Sequence, residues 1–532
     1  MYITPNTNVR LLKNIRLDLD HTHSISWEGK TSTDMYNYFA SKTKYNLANY
    51  SYQKHSKDAI KVAINCDMLY DCNYMMFQNS AYGNKWFYAF ITDVEYINDN
   101  TSAVYYKIDV IQTWYFETWF EPCFVEREHT RTDKIGDNIQ PEPVATGEYV
   151  FNKDYYPVVN MKDMVVCIAI VDVEGKSNGS LYDGIYGGCE LFVYDSTDTQ
   201  TINAKINEYT QKPESIIGMY MFPLILINEI PKNHKLTYGA KASKTTKTFP
   251  AVQTSWTLNG YLPKNNKMYT YPYNYLSIDN ASGEELALRY EFFDDLKPAL
   301  EISGTITQPV SVCLRPVSYK GVSSYDELGG YTSINTESIS LNNYPLCSWN
   351  VDAYQAWVSQ NAVPLVVDSV ASLATATLSS GFMPLAGVST VYQVANIAKQ
   401  FYNASIASDI CKGKVANGGV NVANNKQQFY GGRLSVNKDN AKTIDDYFTM
   451  FGYAVNRLKT PSTWNRENYT YIKTIGSQIE GNIPQKDLQE MNDIHDNGIT
   501  YWRNGDVVGD YSVRNNPRGW LNGKKKKDRI WG

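Results

Sequence analysis

This sequence has no dominant charge, no clustered cysteine and no short catalytic signature. Lys and Arg number 50 against 55 Asp and Glu, a formal net charge of −5 over 532 residues. That balance argues against a globally basic surface for gripping nucleic acid. A mildly acidic chain is still free to line a passage through which nucleic acid slides. The cysteines, Cys66, Cys72, Cys123, Cys167, Cys189, Cys313, Cys347 and Cys411, form no Cys-x-x-Cys pair. In a chain this long, that spacing argues against a disulfide framework or zinc site and for free thiols made in a reducing cytosol. Met1-Tyr2-Ile3-Thr4-Pro5-Asn6 has no apolar stretch behind a positive start, so no signal peptide is expected. There is no Gly-x-x-x-x-Gly-Lys-Ser/Thr, no His-Glu-x-x-His and no Gly-x-Ser-x-Gly, motifs that phosphate binding, zinc hydrolysis and nucleophilic catalysis use.

The remaining polar pairs have plain readings. His21 and His23 are two apart, on one side of a strand, without a nearby third ligand; they read as packing or surface residues rather than a metal site. Glu126 and Glu128 are spaced as a same-face carboxylate pair for acid–base work, but Arg127 and His129 beside them favour cross-strand ion pairing. Asp445 and Asp446 stand before a helical pattern and read as an N-cap in a favourable dipole. No enzyme, cofactor or metal is expected. Wall cleavage stays open, because glycosidase carboxylates carry no short signature.

What the sequence does have is tyrosine: 43 Tyr against 18 Phe, with aromatics at 14%. Tyrosine suits strand faces that are half wet and half buried, so a mostly β protein is expected. Val9, Leu11, Leu12 and Ile15 mark an early strand, and a helix is expected to start at Ser32 or Thr33. Residues 86–97 and 103–114, joined by Asn98-Asp99-Asn100-Thr101, read as a long antiparallel hairpin with one dry face. Pro122, Pro141, Pro143, Gly136 and Gly147 mark 121–156 as a boundary or linker. Residues 164–171 and 216–227 are continuous apolar strands. Helices are expected around Ile444, Tyr447, Phe448 and Phe451, with Gly452 as C-cap, and from Pro484 through Leu488, Met491 and His495.

In the stretch 363–401 Asp368 and Lys399 are the only charges, and 369–398 is the longest uncharged run. A membrane-crossing helix needs roughly 20 mostly apolar residues. Val363, Val366, Val367, Val370, Ala374 and Thr377 have helical spacing, as do Val388, Val391, Tyr392, Ala395 and Ala398. Leu365, Leu373, Leu378, Leu385, Val394 and Ile397 add apolar bulk, and small residues between them allow close packing. Gly381, Phe382, Met383 and Pro384 form a turned tip between two arms. Two readings stand: a buried helical hairpin of a large core, or an amphipathic hairpin that enters a membrane.

A family resemblance appears at the aromatic hairpin. Tyr74-Met75-Met76-Phe77-Gln78-Asn79, Tyr82-Gly83-Asn84-Lys85-Trp86-Phe87-Tyr88-Ala89-Phe90, Ile108-Asp109-Val110-Ile111-Gln112-Thr113-Trp114 and Val125-Glu126-Arg127-Glu128-His129 resemble the tail-knob (distal tail tube) proteins of small short-tailed bacteriophages with protein-primed genomes. Gly452-Tyr453-Ala454-Val455-Asn456-Arg457, Asp487-Leu488-Gln489-Glu490 and Ile494-His495-Asp496-Asn497-Gly498-Ile499-Thr500-Tyr501-Trp502 resemble the same family near its C-terminus. The resemblance implies a mainly β fold with minor α: a tail-tube-like antiparallel β domain, assembling into a hexameric ring or tube, with β-rich insertions and a long apolar hairpin loop. The segments implied are 1–130 and 429–515 for the tube domain, 131–350 for the middle domains, 351–428 for the loop and 516–532 for a basic, disordered tail. It further implies a homohexamer at the virion tail tip, made in the host bacterial cytoplasm, that joins the collar or upper tube. Viral DNA would pass its lumen without sequence-specific binding. The loop would plug that lumen and, once released, meet host membrane lipids and form a pore. From the residues themselves, Asp368 is the acid of the run, and its protonation at low pH is expected to ease entry. The alternatives are a purely structural tube or adaptor, and a wall-binding or wall-degrading tail protein.

Overall fold

The computed structural model describes residues 6–50, 59–152, 155–171, 181–182, 185–186, 189–209, 216–237, 240–281, 283–307, 310–319, 338–342, 344, 346–348 and 428–519. The chain divides into two compact units, one of residues 1–145, 263–267 and 441–532, the other of 146–262 and 268–440.

The first unit is built on a six-stranded antiparallel sheet. Its strands are β1 (Thr7–Lys13), β3 (Thr43–Tyr50), β4 (Ala59–Val62), β5 (Cys72–Asn79), β6 (Phe87–Asn98) and β7 (Thr101–Ile108), in the order β3-β1-β5-β6-β7-β4. Strand side chains alternate between faces, and in the inner strands both faces carry buried residues. In β5, Tyr74 and Met76 join one core cluster while Met75 and Phe77 join another. In β6, Tyr88 and Phe90 go one way and Ala89 the other. Double burial is why Tyr74-Met75-Met76-Phe77 reads as a continuous apolar run instead of an alternating one. Phe39 stacks on Tyr74 at 5.3 Å and is fully buried. It comes from helix α1 (Ser32–Ser41), which starts in a capping box between Thr31 and Asp34.

A second sheet of five strands lies in the same unit: β2 (His23–Ile25), Ile499–Trp502, Tyr469–Ile475, β9 (Cys123–Glu128) and Tyr453–Lys459. Trp502 and Tyr469 share a core cluster with Tyr74, Met76 and Phe90 of the first sheet. Helix Gln485–Asn497 covers this sheet through Met491 and Ile494.

Four sequence expectations are corrected here. The second hairpin strand ends at Ile108 and does not run on to Trp114. Asp109 caps a short helix, α2 (Val110–Trp114), by accepting from the Gln112 N–H at 3.0 Å, and an N-cap carboxylate outcompetes strand pairing locally. The hairpin also loses its dry face towards the tip, where Tyr96 and Ile97 are 55% and 41% exposed. There the side chains pair with one another: Tyr105 Oη donates to Glu95, and Tyr96 Oη to Asp99. The Pro-rich stretch 121–156 contains β9, an inner strand of the second sheet. Residues 516–519, placed with the basic tail by their sequence, are bonded into the unit. Asn516 O accepts from Glu467 N, and Gly519 N donates to Arg131 O.

The second unit is antiparallel β throughout its described sheets. Met164–Val171 lies between Cys189–Asp195 and Ile216–Pro223, with Leu346–Ser348 beyond. Val165 to Ile170 are all buried, as their unbroken apolar sequence requires. Tyr430–Val436 lies between Asn274–Asp279 and the short strand Tyr149–Phe151. A further sheet joins Thr245–Thr248, Ala299–Gly304, Val312–Val317 and Ile339–Leu341.

Candidate functional site

The apolar run and every residue assigned to it, from Val363 to Ile397 with its tip Gly381, Phe382, Met383 and Pro384 and its acid Asp368, lie outside the described residues. The described chain stops at Ser348 and resumes at Gln428. Both attachment points are built into the second unit. On the entry side, Leu346–Ser348 pairs with Ile216–Pro223 in the register Tyr220↔Leu346 and Gly218↔Ser348. On the return side, Gln428 and Phe429 are buried, and Phe429 O accepts from Val158 N at 2.7 Å. Gly431 follows in the strand. A Cβ there would lie 2.3 Å from Ile278 Cδ1 and 3.1 Å from Val158 Cγ2, so only glycine lets the neighbouring side chains close over the strand.

The family-like motifs 125–129 and 452–457 meet in the first unit around a buried ionic network. Glu142, with a side chain shielded from solvent, pairs with both Arg127 and Lys267 and accepts from the Ala454 N–H at 2.8 Å. Asp133 accepts from Tyr453 Oη at 2.6 Å and lies 3.9 Å from Arg466. Asp445 accepts from the backbone N–H groups of Lys264 and Asn265 at 2.7 and 3.0 Å. Residues 263–267 are thereby held by a carboxylate, two backbone bonds and a lysine ion pair. Burial pushes the Asp133 and Glu128 carboxyls up and the Lys267 ammonium down, because the charged forms lose hydration.

Two histidines are buried and bonded in one tautomer each. His129 accepts from Tyr471 N–H at Nδ1, 2.8 Å, and Nε2 faces Thr449 O at 3.1 Å. Only an Nε2–H ring satisfies both. Burial, and then the nearby Arg466, pull its pKa down to about 3. His495 Nδ1 faces Met491 O and Nε2 faces Tyr501 Oη, each at 2.7 Å, and burial lowers its pKa to about 4. An unfolded histidine titrates near 6.5, so the unfolded state takes up protons first as pH falls. Each histidine then costs up to about 1.4 kcal/mol of stability per pH unit, between roughly 6.5 and its folded pKa. Glu128 and Asp133 act with the opposite sign at lower pH, since their folded pKa values are raised. Unfolding free energy is expected to fall by about 2 kcal/mol from pH 6.5 to 5.5, and His495→Gln to halve that fall. An unchanged slope in the variant contradicts the assignment.

The other sequence candidates separate. His21 lies 3.8 Å from Asp109 with its ring edge-on to Phe90, whereas His23 Nδ1 accepts from Trp502 Nε1 at 3.3 Å. The two rings serve different contacts because His21 has a left-handed backbone, φ 55°, which breaks the strand alternation. Among the described residues no three His, Cys, Asp or Glu side chains gather as a metal site. Glu126 pairs with Lys473 at 2.8 Å and Glu128 with Lys459, both across strands. Asp445 and Asp446 are not an N-cap. The helix begins at Lys438, so Asp445 is a buried inner-turn residue and Asp446 pairs with Lys264 at 3.1 Å. Glu142, Asp133, Lys267 and Arg466 went unnoticed in the sequence. They sit in Pro- and Asn-rich connections with no periodicity, where no local signal marks a buried charge.

Comparison with known proteins bears on the whole chain. Residues 236–516 match the family described as the C-terminal domain of the Bacillus phage phi29 tail knob protein gp9. Residues 5–119 match the caudoviral major tail protein N-terminus. The chain is similar to the tail knob protein gp9 of Bacillus phage PZA, at 27% identity over 96% of this chain and 99% of that protein. It is similar to gp9 of Bacillus phage phi29 at 24% identity over the same shares. The solved structure of the bacteriophage C1 tail knob protein gp12 superposes with a TM-score of 0.61 at 13% identity, covering 96% of this chain and 99% of that one. That likeness is one of fold.

Proposed function

Because this chain belongs to the family of the phi29 tail knob protein gp9 C-terminal domain, we propose that it is a virion protein of the distal tail whose copies form a hexameric tube for genome ejection, and that residues 363–401 act on the host membrane. The observation carrying the second part is the uncharged run 369–398, set between two strands hydrogen-bonded into the second unit. An apolar hairpin alone in water would aggregate; copies packed together in a closed lumen hide their apolar faces. Once expelled, arms at membrane depth must satisfy their backbone internally, as helices or as a closed barrel. Val366, Val367, Val370, Leu373, Val388, Val391 and Ile397 then face lipid, and the serine and threonine hydroxyls face the passage. Gly381, Phe382, Met383 and Pro384 lead. Protonation of Asp368 removes the acid that the first arm carries.

Electron microscopy of the purified full chain tests the tube. Six-fold rings with a central hole are expected; a uniformly monomeric protein at every concentration contradicts the reading.

A further inference from the structure

The first unit carries a second feature that neither the tube nor the apolar run uses. A cleft of about 570 Å³ opens beside β8 (Thr118–Phe120), walled by Trp27, Phe116, Trp119, Phe120, Ile479 and Arg131 among others. Phe116 and Trp119 are 42% and 53% exposed. Trp119 is nevertheless held in place, because its Nε1 donates to Glu121 at 2.9 Å. Large aromatic side chains gathered in a cleft and left wet mark an interaction site.

The chain's own path leads into this cleft. Arg518 N donates to Asn465 O at 3.2 Å, and the Arg518 guanidinium carbon lies 3.2 Å from the ring centre of Trp464. Gly519 N then donates to Arg131 O at 2.9 Å, and Arg131 is part of the cleft wall. The described residues stop there. Next in sequence are Trp520 and Leu521, then Asn522, Gly523 and the four lysines Lys524–Lys527. An aromatic and an aliphatic residue thus leave the wall of an aromatic cleft with no linker to cross.

Charge agrees with that path. Glu121 holds Trp119, and Glu480 lies opposite Trp119 where β8 pairs with Ile479–Gly481. Neither glutamate has an ion pair among the described residues, whereas Glu117 nearby is paired with Lys85 at 2.5 Å. The lysines begin five residues beyond Gly519, a reach of roughly 17 Å for extended chain. The cleft's own cations do not oppose them. Asp34 offsets Lys30, and Glu28 offsets both Arg503 and Arg518.

We propose that this cleft is the docking site of the chain's own segment 520–527, with Trp520 and Leu521 against Phe116 and Trp119 and the lysines beside Glu121 and Glu480. An indole brings large apolar area to such a contact, and an ammonium near an exposed indole adds a cation–π attraction. The same segment of a second copy is the competing occupant. An anchor one residue away gives the copy's own segment the higher effective concentration. Docking covers the aromatic patch and sets the lysine cluster at a fixed place on the first unit. The inference stands whether or not the copies form a tube or residues 363–401 enter a membrane.

Hydrogen exchange of the full chain, read by mass spectrometry, tests the proposal together with carbodiimide coupling of lysines to glutamates. Amides of 520–523 should exchange at least tenfold more slowly in the parent protein than in Phe116→Ala/Trp119→Ala. The same loss of protection should appear in Trp520→Ala/Leu521→Ala, which alters the other side of the contact. Phe116 and Trp119 are exposed, and unaltered thermal unfolding confirms an intact fold. Coupling should join a lysine of 524–527 to Glu121 or Glu480 in a product that runs as a single chain under denaturing conditions. Fast exchange of 520–523 in the parent, exchange unaltered by both variants, or the absence of joined peptides overturns the proposal. Joined peptides found only in dimers and larger species overturn it too, and assign the cleft to a neighbouring copy's segment.

Discussion

Replacing Glu142 by Ala is expected to lower the unfolding free energy by about 3–5 kcal/mol, the usual consequence of removing one partner from a buried ion pair. The loss is large because Glu142 serves two cations and a backbone donor at once. Arg127 and Lys267 pair with it where their side chains are almost wholly shielded, and Ala454 N–H donates to it. Truncation leaves two buried positive charges and an unpaired amide, each carrying its own desolvation cost. A surface pair such as Lys44–Asp71, with Asp71 half exposed, is the control: Asp71→Ala should leave stability nearly unchanged, because solvent screens the pair. Denaturant titration reads both. The triple change of Arg127 and Lys267 to Met with Glu142 to Leu is expected to recover most of the loss, since apolar residues of similar volume often replace a buried charge cluster at no net cost. A Glu142→Ala effect no larger than that of Asp71→Ala contradicts the picture of a shielded network.

That network also explains what sequence reading reached and what it missed. Period-2 patterning located the strands because most are buried on at least one face, and double burial turned β5 into the unbroken run Tyr74-Met75-Met76-Phe77. Gly452 was legible as a helix C-cap because its backbone is left-handed, φ 65°. A Cβ there would lie 2.3 Å from Glu128 O. Asp109 was misread because one side chain bonding to a backbone N–H ends a strand without disturbing the apolar pattern around it. Asp445 was misread because a buried carboxylate inside a helix looks like a cap when its partner, the segment 263–267, is 180 residues away in sequence. Glu142 and Asp133 gave no signal for the same reason. Their partners are distant in sequence, and charge pairing leaves no period.

The membrane-active role proposed for 363–401 has the other large expected effect, because it turns on a single segment. Its apolar character was legible from composition, whereas its neighbours in the fold were not: the strands before and after it belong to different sheets, joined to Ile216–Pro223 on one side and to Asn274–Asp279 on the other. Among the described residues those strands pair with Ile216–Pro223 and Asn274–Asp279, so deletion of 363–401 is expected to leave both sheets intact. Burial of apolar surface yields about 25 cal/mol per Å², and the run is the longest uncharged stretch available to supply it to lipid. Asp368 adds a direction: protonation removes a charge that opposes entry, so insertion should strengthen as pH falls.

Dye release from liposomes by the full chain, compared with a 363–401 deletion and with Asp368→Asn, measures this directly. Release by the parent protein that rises on acidification, loss of at least tenfold in the deletion, and a flattened pH dependence in Asp368→Asn are the results expected. Equal release by the parent and the deletion would contradict the claim that this span is the membrane-active part of the tail protein.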